Sequence, residues 1–224
     1  MKIQIVCFKW TPRPNQLVTI PSQTVVKYNS DHVNRLFKMV DRYVDIPYEK
    51  VCVTDDPTGI DGDVRIVPLW DKCRDMGGCF NRLYVFSSEM KDIIGERMLC
   101  LDMDMIITAN LTDIITRFDS ADFVHYKMRG ADGTGSRMNN GMFMMNAGAR
   151  NFVWDDFIFN PSLAREKARI HAGTDQAWCN YILDLKREKY WSINDGIYDM
   201  RLDFIEGGRI YLPRGCRIVM WPRT

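Results

Sequence analysis

The chain has no Cys-x-x-Cys pair, and its three histidines, His32, His125 and His171, lie far apart. Together these exclude a zinc site of the usual structural spacing. No apolar run approaches the ~20 residues that a bilayer requires, so no membrane-spanning helix is expected. Charge of one sign is missing as well: 30 Lys and Arg stand against 29 Asp and Glu, a formal net charge of +1. A chain so balanced has no global field to recruit nucleic acid or an anionic membrane. Residues 1–20 contain no glycine, which rules out a glycine-rich phosphate loop after the first strand. The opening M-K-I-Q-I-V-C-F-K-W lacks a small-residue cleavage site and reads as a strand rather than a signal peptide. There is no internal repeat, low-complexity tract or linker, so residues 1–224 are expected to form a single domain.

The seven cysteines are odd in number, and Cys7, Cys52 and Cys100 lie within apolar runs where a thiol behaves as a small hydrophobe. Free thiols in a reducing cytoplasm are the expected state. Apolar residues make up 46% and charged residues 26%, the balance of a soluble globular protein.

Strand and helix patterns alternate along the chain. Lys2–Phe8 is apolar enough for a central strand, and Lys9, Trp10 and Pro12 follow where an α/β sheet opens its ligand crevice. From an N-cap at Ser30 or Asp31, apolar residues recur at Val33, Leu36, Phe37, Val40 and Val44, one face of a helix. Val51–Thr54 and Val64–Pro68 read as strands, the first ending in Asp55, Asp56 and Pro57. Gly77–Phe86 opens with glycines and continues as a helix. Leu111–Ile115 is a short helix or turn, and Asp122–Lys127 a strand. The stretch 130–136 is rich in glycine and is a candidate lid. Met138–Asn146 is again a strand. Helices are expected over Phe152–Pro161 and Thr174–Arg187, then strands at Arg209–Leu212 and Arg217–Trp221. This rhythm predicts βαβ units and a mostly parallel central sheet flanked by helices.

The segment Arg97–Asn110, R-M-L-C-L-D-M-D-M-I-I-T-A-N, carries the most chemistry. Met98–Leu101 suits a strand buried on both faces. Asp102 and Asp104 follow two apart, which a strand's period of two would point to one side. Two carboxylates there repel each other and lose hydration. A hard cation relieves both costs, and oxygen ligands suit Mg²⁺ or Mn²⁺. The alternative reading is an acidic turn after a core strand.

In order, K-W after the first strand, V-C-V-T-D-D-P, G-G-C-F-N-R-L, L-C-L-D-M-D-M-I-I-T-A-N-L, M-N-N-G-M-F-M-M-N and G-T-D-Q-A-W resemble a known family. This is the GT-A fold class of nucleotide-sugar glycosyltransferases with an Asp-x-Asp motif, nearest in pattern to the glycogenin and lipopolysaccharide galactosyltransferase type. The resemblance runs from about residue 3 to about residue 221. It implies a single Rossmann-like α/β domain with Asp102 and Asp104 as metal ligands, Asp102 being shared with the donor's ribose or sugar. It further implies that Phe8, Lys9, Trp10 and Asp55 flank the nucleotide and that Arg82 contacts the donor. Lys9 would then meet a phosphate. For Trp10, Asp55 and Arg82, ordinary packing, a turn cap and a solvated charge stay open as alternatives. Asn140 and Gly141 match a stretch beside the reacting sugar. Asp175 and Gln176 match an Asp-Gln pair under it, Asp175 bonding hydroxyls and Gln176 lying near the anomeric carbon. The pair points to retention of configuration. Inversion stays open, with Asp175 recruited as the base.

One departure from the family is plain. Many relatives end in a His-Gly pair that completes the metal shell, whereas this tail reads R-I-V-M-W-P-R-T. The implied activity is transfer of a sugar from a nucleoside-diphosphate sugar, by family a UDP-sugar, to a glycan or other hydroxyl acceptor with Mn²⁺ or Mg²⁺. A glycan-binding or nucleotide-sugar-binding module without turnover is the alternative, favoured by the missing histidine. An Asp-nucleophile phosphatase also carries Asp-x-Asp after a buried strand. It places that pair near its start, however, and here about a hundred residues precede Asp102.

Overall fold

The computed structural model describes residues 2–11, 28–73, 76, 78–129, 136–169, 174–206 and 209–220. The expected lid at 130–136 falls almost entirely outside them, as do Pro12, His171 and Trp221.

The central sheet is built from β1 (Ile3–Lys9), β2 (Tyr48–Thr54), β3 (Arg65–Pro68), β4 (Arg97–Leu101), β6 (Phe123–Arg129), β7 (Ser136–Asn146) and β8 (Lys189–Trp191). Its seven strands lie in the order β3-β2-β1-β4-β7-β6-β8. All pair in parallel except β7, which runs against both β4 and β6. The sheet is therefore mostly parallel, as the alternation of patterns predicts. From β1 the chain proceeds outward through β2 and β3, then returns to place β4 on the other side of β1. That reversal is a switch point, and ligand crevices in such sheets open beyond the carboxyl ends of the strands beside it. Lys9 and Leu101 end those two strands.

Both faces of the sheet are covered, which explains why the strands read as nearly continuous apolar runs. Val6, Phe8, Val51, Val53, Met98, Cys100, Phe143 and Met145 face one core. This core is closed by 3₁₀ turns over Gly78–Phe86 and by α4 (Phe152–Phe159), α5 (Pro161–Arg169) and α6 (Asp175–Ile182). Ile5, Cys7, Cys52, Leu99, Leu101, Met142 and Met144 face the other. It is closed by α1 (Ser30–Tyr43) and α3 (Thr112–Thr116), with α1 burying Val33, Leu36, Phe37 and Val40. Each such side chain contributes roughly 1.5–3 kcal/mol on burial.

Smaller elements complete the frame. The helix α2 (Met90–Ile93) precedes β4. A second sheet of three strands, in the order β5-β12-β9, joins β5 (Ile106–Ile107), β9 (Ile197–Asp199) and β12 (Ile218–Met220). Beside it lie α7 (Met200–Asp203) and the hairpin of β10 (Ile205–Glu206) with β11 (Arg209–Ile210). No helix among the described residues is long and apolar enough to cross a membrane.

Three local expectations need correcting. Asn29, not Ser30 or Asp31, is the N-cap of α1, and its backbone N–H donates to His32 Nδ1 at 3.3 Å. The stretch 78–86 forms 3₁₀ turns instead of an α-helix. The helix expected to reach Arg187 stops at Ile182, because buried Leu183 turns to extended backbone and carries the chain inward.

Candidate functional site

The site grows from the end of β4. By the strand's alternation, Asp102 continues the face of Met98 and Cys100, where the 78–86 turns and α6 pack. Its backbone N–H donates to Gly141 O at 2.8 Å, which ties the strand end to β7. Arg82 arrives from the 3₁₀ turns and donates through Nη1 to Asp102 Oδ1. Through Nε and Nη2 the same guanidinium donates to Asp175 Oδ2, at 2.9 and 2.7 Å. The Arg82 side chain is 11% exposed and that of Asp175 3%, so this bridge is shielded from solvent.

Asp175 is the first residue of α6, whose N-cap Thr174 accepts from Ala177 N at 3.2 Å. Asn140 on β7 donates through Nδ2 to Asp175 Oδ2 at 2.9 Å, and its backbone N–H donates to Gln176 Oε1 at 3.3 Å. Asn140 Oδ1 is buried with no hydrogen-bond partner among the described residues. Gly141 lets its neighbours pack directly against the backbone. A Cβ there would stand 2.5 Å from Met220 Cε, 2.9 Å from Asn139 Oδ1 and 3.1 Å from Asp102 Oδ2. Thus Arg82, Asp102, Asn140, Gly141, Asp175 and Gln176, drawn from four segments, meet in one place.

The electrostatics follow from that crowding. Burial raises the Asp102 carboxyl to about 6; Arg82 opposes the rise, while Asp104 and Asp175 reinforce it. Burial works against the Arg82 charge, but Asp102 and Asp175 outweigh it and hold the guanidinium well above its ordinary value. Burial pushes the neighbouring Cys179 thiol up to about 12, leaving it unreactive.

Asp104 is placed differently from the expectation that both carboxylates project from one strand face. The strand ends at Leu101, and residues 103–104 form a turn. Met103 and Met105 are buried in the core under α1, and Tyr28 OH donates to Asp104 Oδ2 at 2.6 Å. Asp104 is thereby drawn toward the α1 side, yet it stays near enough to raise the Asp102 carboxyl. Sequence reasoning missed Tyr28. Its only signal is an aromatic just before a helix N-cap, a position with many structural uses.

Two carboxylates with oxygen donors fit a hard divalent cation in charge and chemistry, the rest of its shell falling to water and phosphate oxygens. Among the described residues, no group of three or more His, Cys, Asp or Glu side chains comes together to hold a metal.

The other expected residues lie at the ends of β1 and β2. Lys9 is buried and turned to β2, where Nζ donates to Asp56 O and lies 3.7 Å from Asp56 Oδ2. Asp55 accepts the backbone N–H of Thr11 on both carboxylate oxygens, each at 3.1 Å. Phe8 packs edge-on against Trp70 at 6.0 Å, and Trp10 is partly buried on the same core. These four line the adjoining strand ends without a hydrogen bond to the Arg82 cluster. Comparison with models of known protein families finds none that matches the chain, and comparison with curated proteins finds none either.

Proposed function

We propose that the chain is a metal-dependent glycosyltransferase that moves a sugar from a nucleoside-diphosphate sugar, a UDP-sugar by resemblance, to a glycan or other hydroxyl acceptor. One observation carries this reading. Arg82, Asp175, Asn140 and Gln176, from three distant segments, converge by hydrogen bonds near the carboxyl end of β4, beside the sheet's switch point. Buried groups whose charge states are strongly perturbed by burial and by specific charge partners cluster at functional sites.

In this reading Asp102 and Asp104 hold Mn²⁺ or Mg²⁺, which when bound neutralises the departing diphosphate as a Lewis acid. Arg82 adds a second positive charge close to the breaking bond, shielded from water, where it acts strongly. Asn140 Oδ1, without a hydrogen-bond partner among the described residues, offers a sugar hydroxyl an acceptor. Gly141 is the small residue that the resemblance sets beside the ring, and Asp175 accepts from further hydroxyls. Gln176, anchored to β7 by the Asn140 N–H, faces the anomeric carbon from α6. Phe8, Lys9, Trp10 and Asp55 form the nucleotide end. Retention of configuration is the stereochemical course proposed.

A module that binds the same donor without turnover is the second reading, and the Arg82–Asp102 contact favours it, because a cation is already supplied by the chain. The test is a thermal-shift screen of nucleotide sugars with and without Mn²⁺, followed by assay of nucleotide release. A ligand that binds the native state alone raises its melting point. A donor that stabilises only with Mn²⁺ and then releases nucleotide supports the transferase. Stabilisation without release over hours supports the module. No response to any UDP-, GDP-, dTDP- or CMP-sugar overturns both.

A further inference from the structure

Asp104 sits in a turn, where no strand ladder holds its backbone, so something else must fix its carboxylate if a cation is to be gripped. Tyr28 OH donates to Asp104 Oδ2 at 2.6 Å across 76 residues of chain, within the short range of a hydroxyl bonded to an ionised oxygen. Tyr28 is in turn fixed. Its ring packs on the core beneath α1 and meets the His32 ring edge-on, with centroids 5.2 Å apart and planes at 77°. The same His32 closes the first turn of α1 through Asn29. The Asp104 turn is thus tethered to the start of a 14-residue helix whose buried face anchors it to the sheet.

We propose that Tyr28 is a positioning residue for cation capture. By bonding Oδ2, its hydroxyl fixes the rotation of the Asp104 carboxylate. The inference rests on the reading of Asp102 and Asp104 as cation ligands and adds a residue to it. Partners that orient a ligating side chain typically carry about 10–100-fold in metal affinity. Tyr28→Phe keeps the ring and its contact with His32 while removing only the hydroxyl.

The test is titration of the full chain with Mn²⁺ alone, followed by the electron-paramagnetic signal of the free ion, on the wild type, Tyr28→Phe, Asp104→Asn and the double variant. The expected result is that Tyr28→Phe weakens Mn²⁺ binding about 10–100-fold and that turnover at saturating Mn²⁺ recovers most of the wild-type value. The double variant should bind no more weakly than Asp104→Asn, because the Tyr28 hydroxyl affects the cation through Asp104. Should Tyr28→Phe lower the melting point, the same comparison decides the matter, since a merely structural effect adds to that of Asp104→Asn. Wild-type affinity in Tyr28→Phe overturns the inference and leaves the metal reading standing. A wild type that binds no Mn²⁺ overturns both.

Discussion

His125 shows most plainly what a single side chain costs here. It lies fully buried on β6, between the Phe123 ring and the Tyr190 ring, each with its centroid 6.3 Å away. Neither ring nitrogen has a hydrogen-bond partner among the described residues. Burial lowers its pKa; the Tyr126 backbone and Glu188 oppose the shift, and Lys127 reinforces it. A histidine held neutral in the fold binds its proton more readily when unfolded, so its contribution is fully present above about 6.5 and is lost as pH falls below that value. Substituting His125→Phe removes an unsatisfied polar group and should stabilise the protein by about 1 kcal/mol at neutral pH. The variant should also lose less of its melting temperature between pH 7.5 and pH 5 than the wild type. Thermal melts across that range check both, and equal acid sensitivity in the two proteins would clear His125 of the effect.

Gly141 makes the complementary point, that an absent side chain can matter as much. Its methyl in Gly141→Ala would meet Met220 Cε, Asn139 Oδ1 and Asp102 Oδ2 at 2.5, 2.9 and 3.1 Å. Met220 can swing its terminal methyl aside. Asn139 Oδ1 is held by the Gly141 N–H and Asp102 by Arg82, so the strain falls on them. Displacing a site residue by about 1 Å costs on the order of 10²-fold in rate. Gly141→Ala is therefore expected to fold and to lose turnover on that scale, as donor-dependent nucleotide release would show.

Among the elements, α6 is the one that places site residues by its own start. Thr174 Oγ1 caps the helix on Ala177 N, and Asp175 follows at once, bonded to Arg82 and Asn140. Thr174→Ala should cost about 1 kcal/mol of stability. It should also lower turnover, because fraying the first turn releases Asp175. Thr174→Ser, which keeps the hydroxyl, should restore both in urea melts and rate assays. The start of α6 was legible in the sequence as Thr-Asp-Gln before an apolar run. So was α1, whose apolar spacing from Val33 to Val40 matches the face it buries. β1, β2 and β4 were legible because both of their faces are covered. Less legible were the turns at 78–86. There nine residues of mixed pattern must fit between the sheet and α4, and packing fixes their winding more than propensity does. The end of β4 misled for a related reason. Spacing alone extends a strand through Asp104, but buried Met103 and Met105 pull the chain into a turn.

At the scale of the molecule, distant segments are joined by bonds that no local pattern encodes. The resemblance named Arg82, Asn140 and Asp175 separately, while a separation of 93 positions between Arg82 and Asp175 hid the fact that they bond to each other. This bridge should separate stability from activity. Arg82→Met leaves Asp175 buried without its cation and Asp102 facing two other carboxylates. Breaking such a pair costs about 3–5 kcal/mol, and the 36% exposure of the Asp102 side chain puts the expected loss at the low end, about 3 kcal/mol. Against a total of about 5–15 kcal/mol, that is a large fraction, and the urea midpoint should fall accordingly. Asp104→Asn removes a charge that repels Asp102 and keeps an oxygen for the Tyr28 hydroxyl. It should melt close to the wild type and yet abolish turnover, because a cation grips a neutral amide far less well than a carboxylate. Urea melts and nucleotide release measured on the two variants side by side check the separation. Full activity in Asp104→Asn would take the cation out of the mechanism, and an unchanged midpoint in Arg82→Met would mean that the bridge contributes little to holding the sheet, the 3₁₀ turns and α6 together.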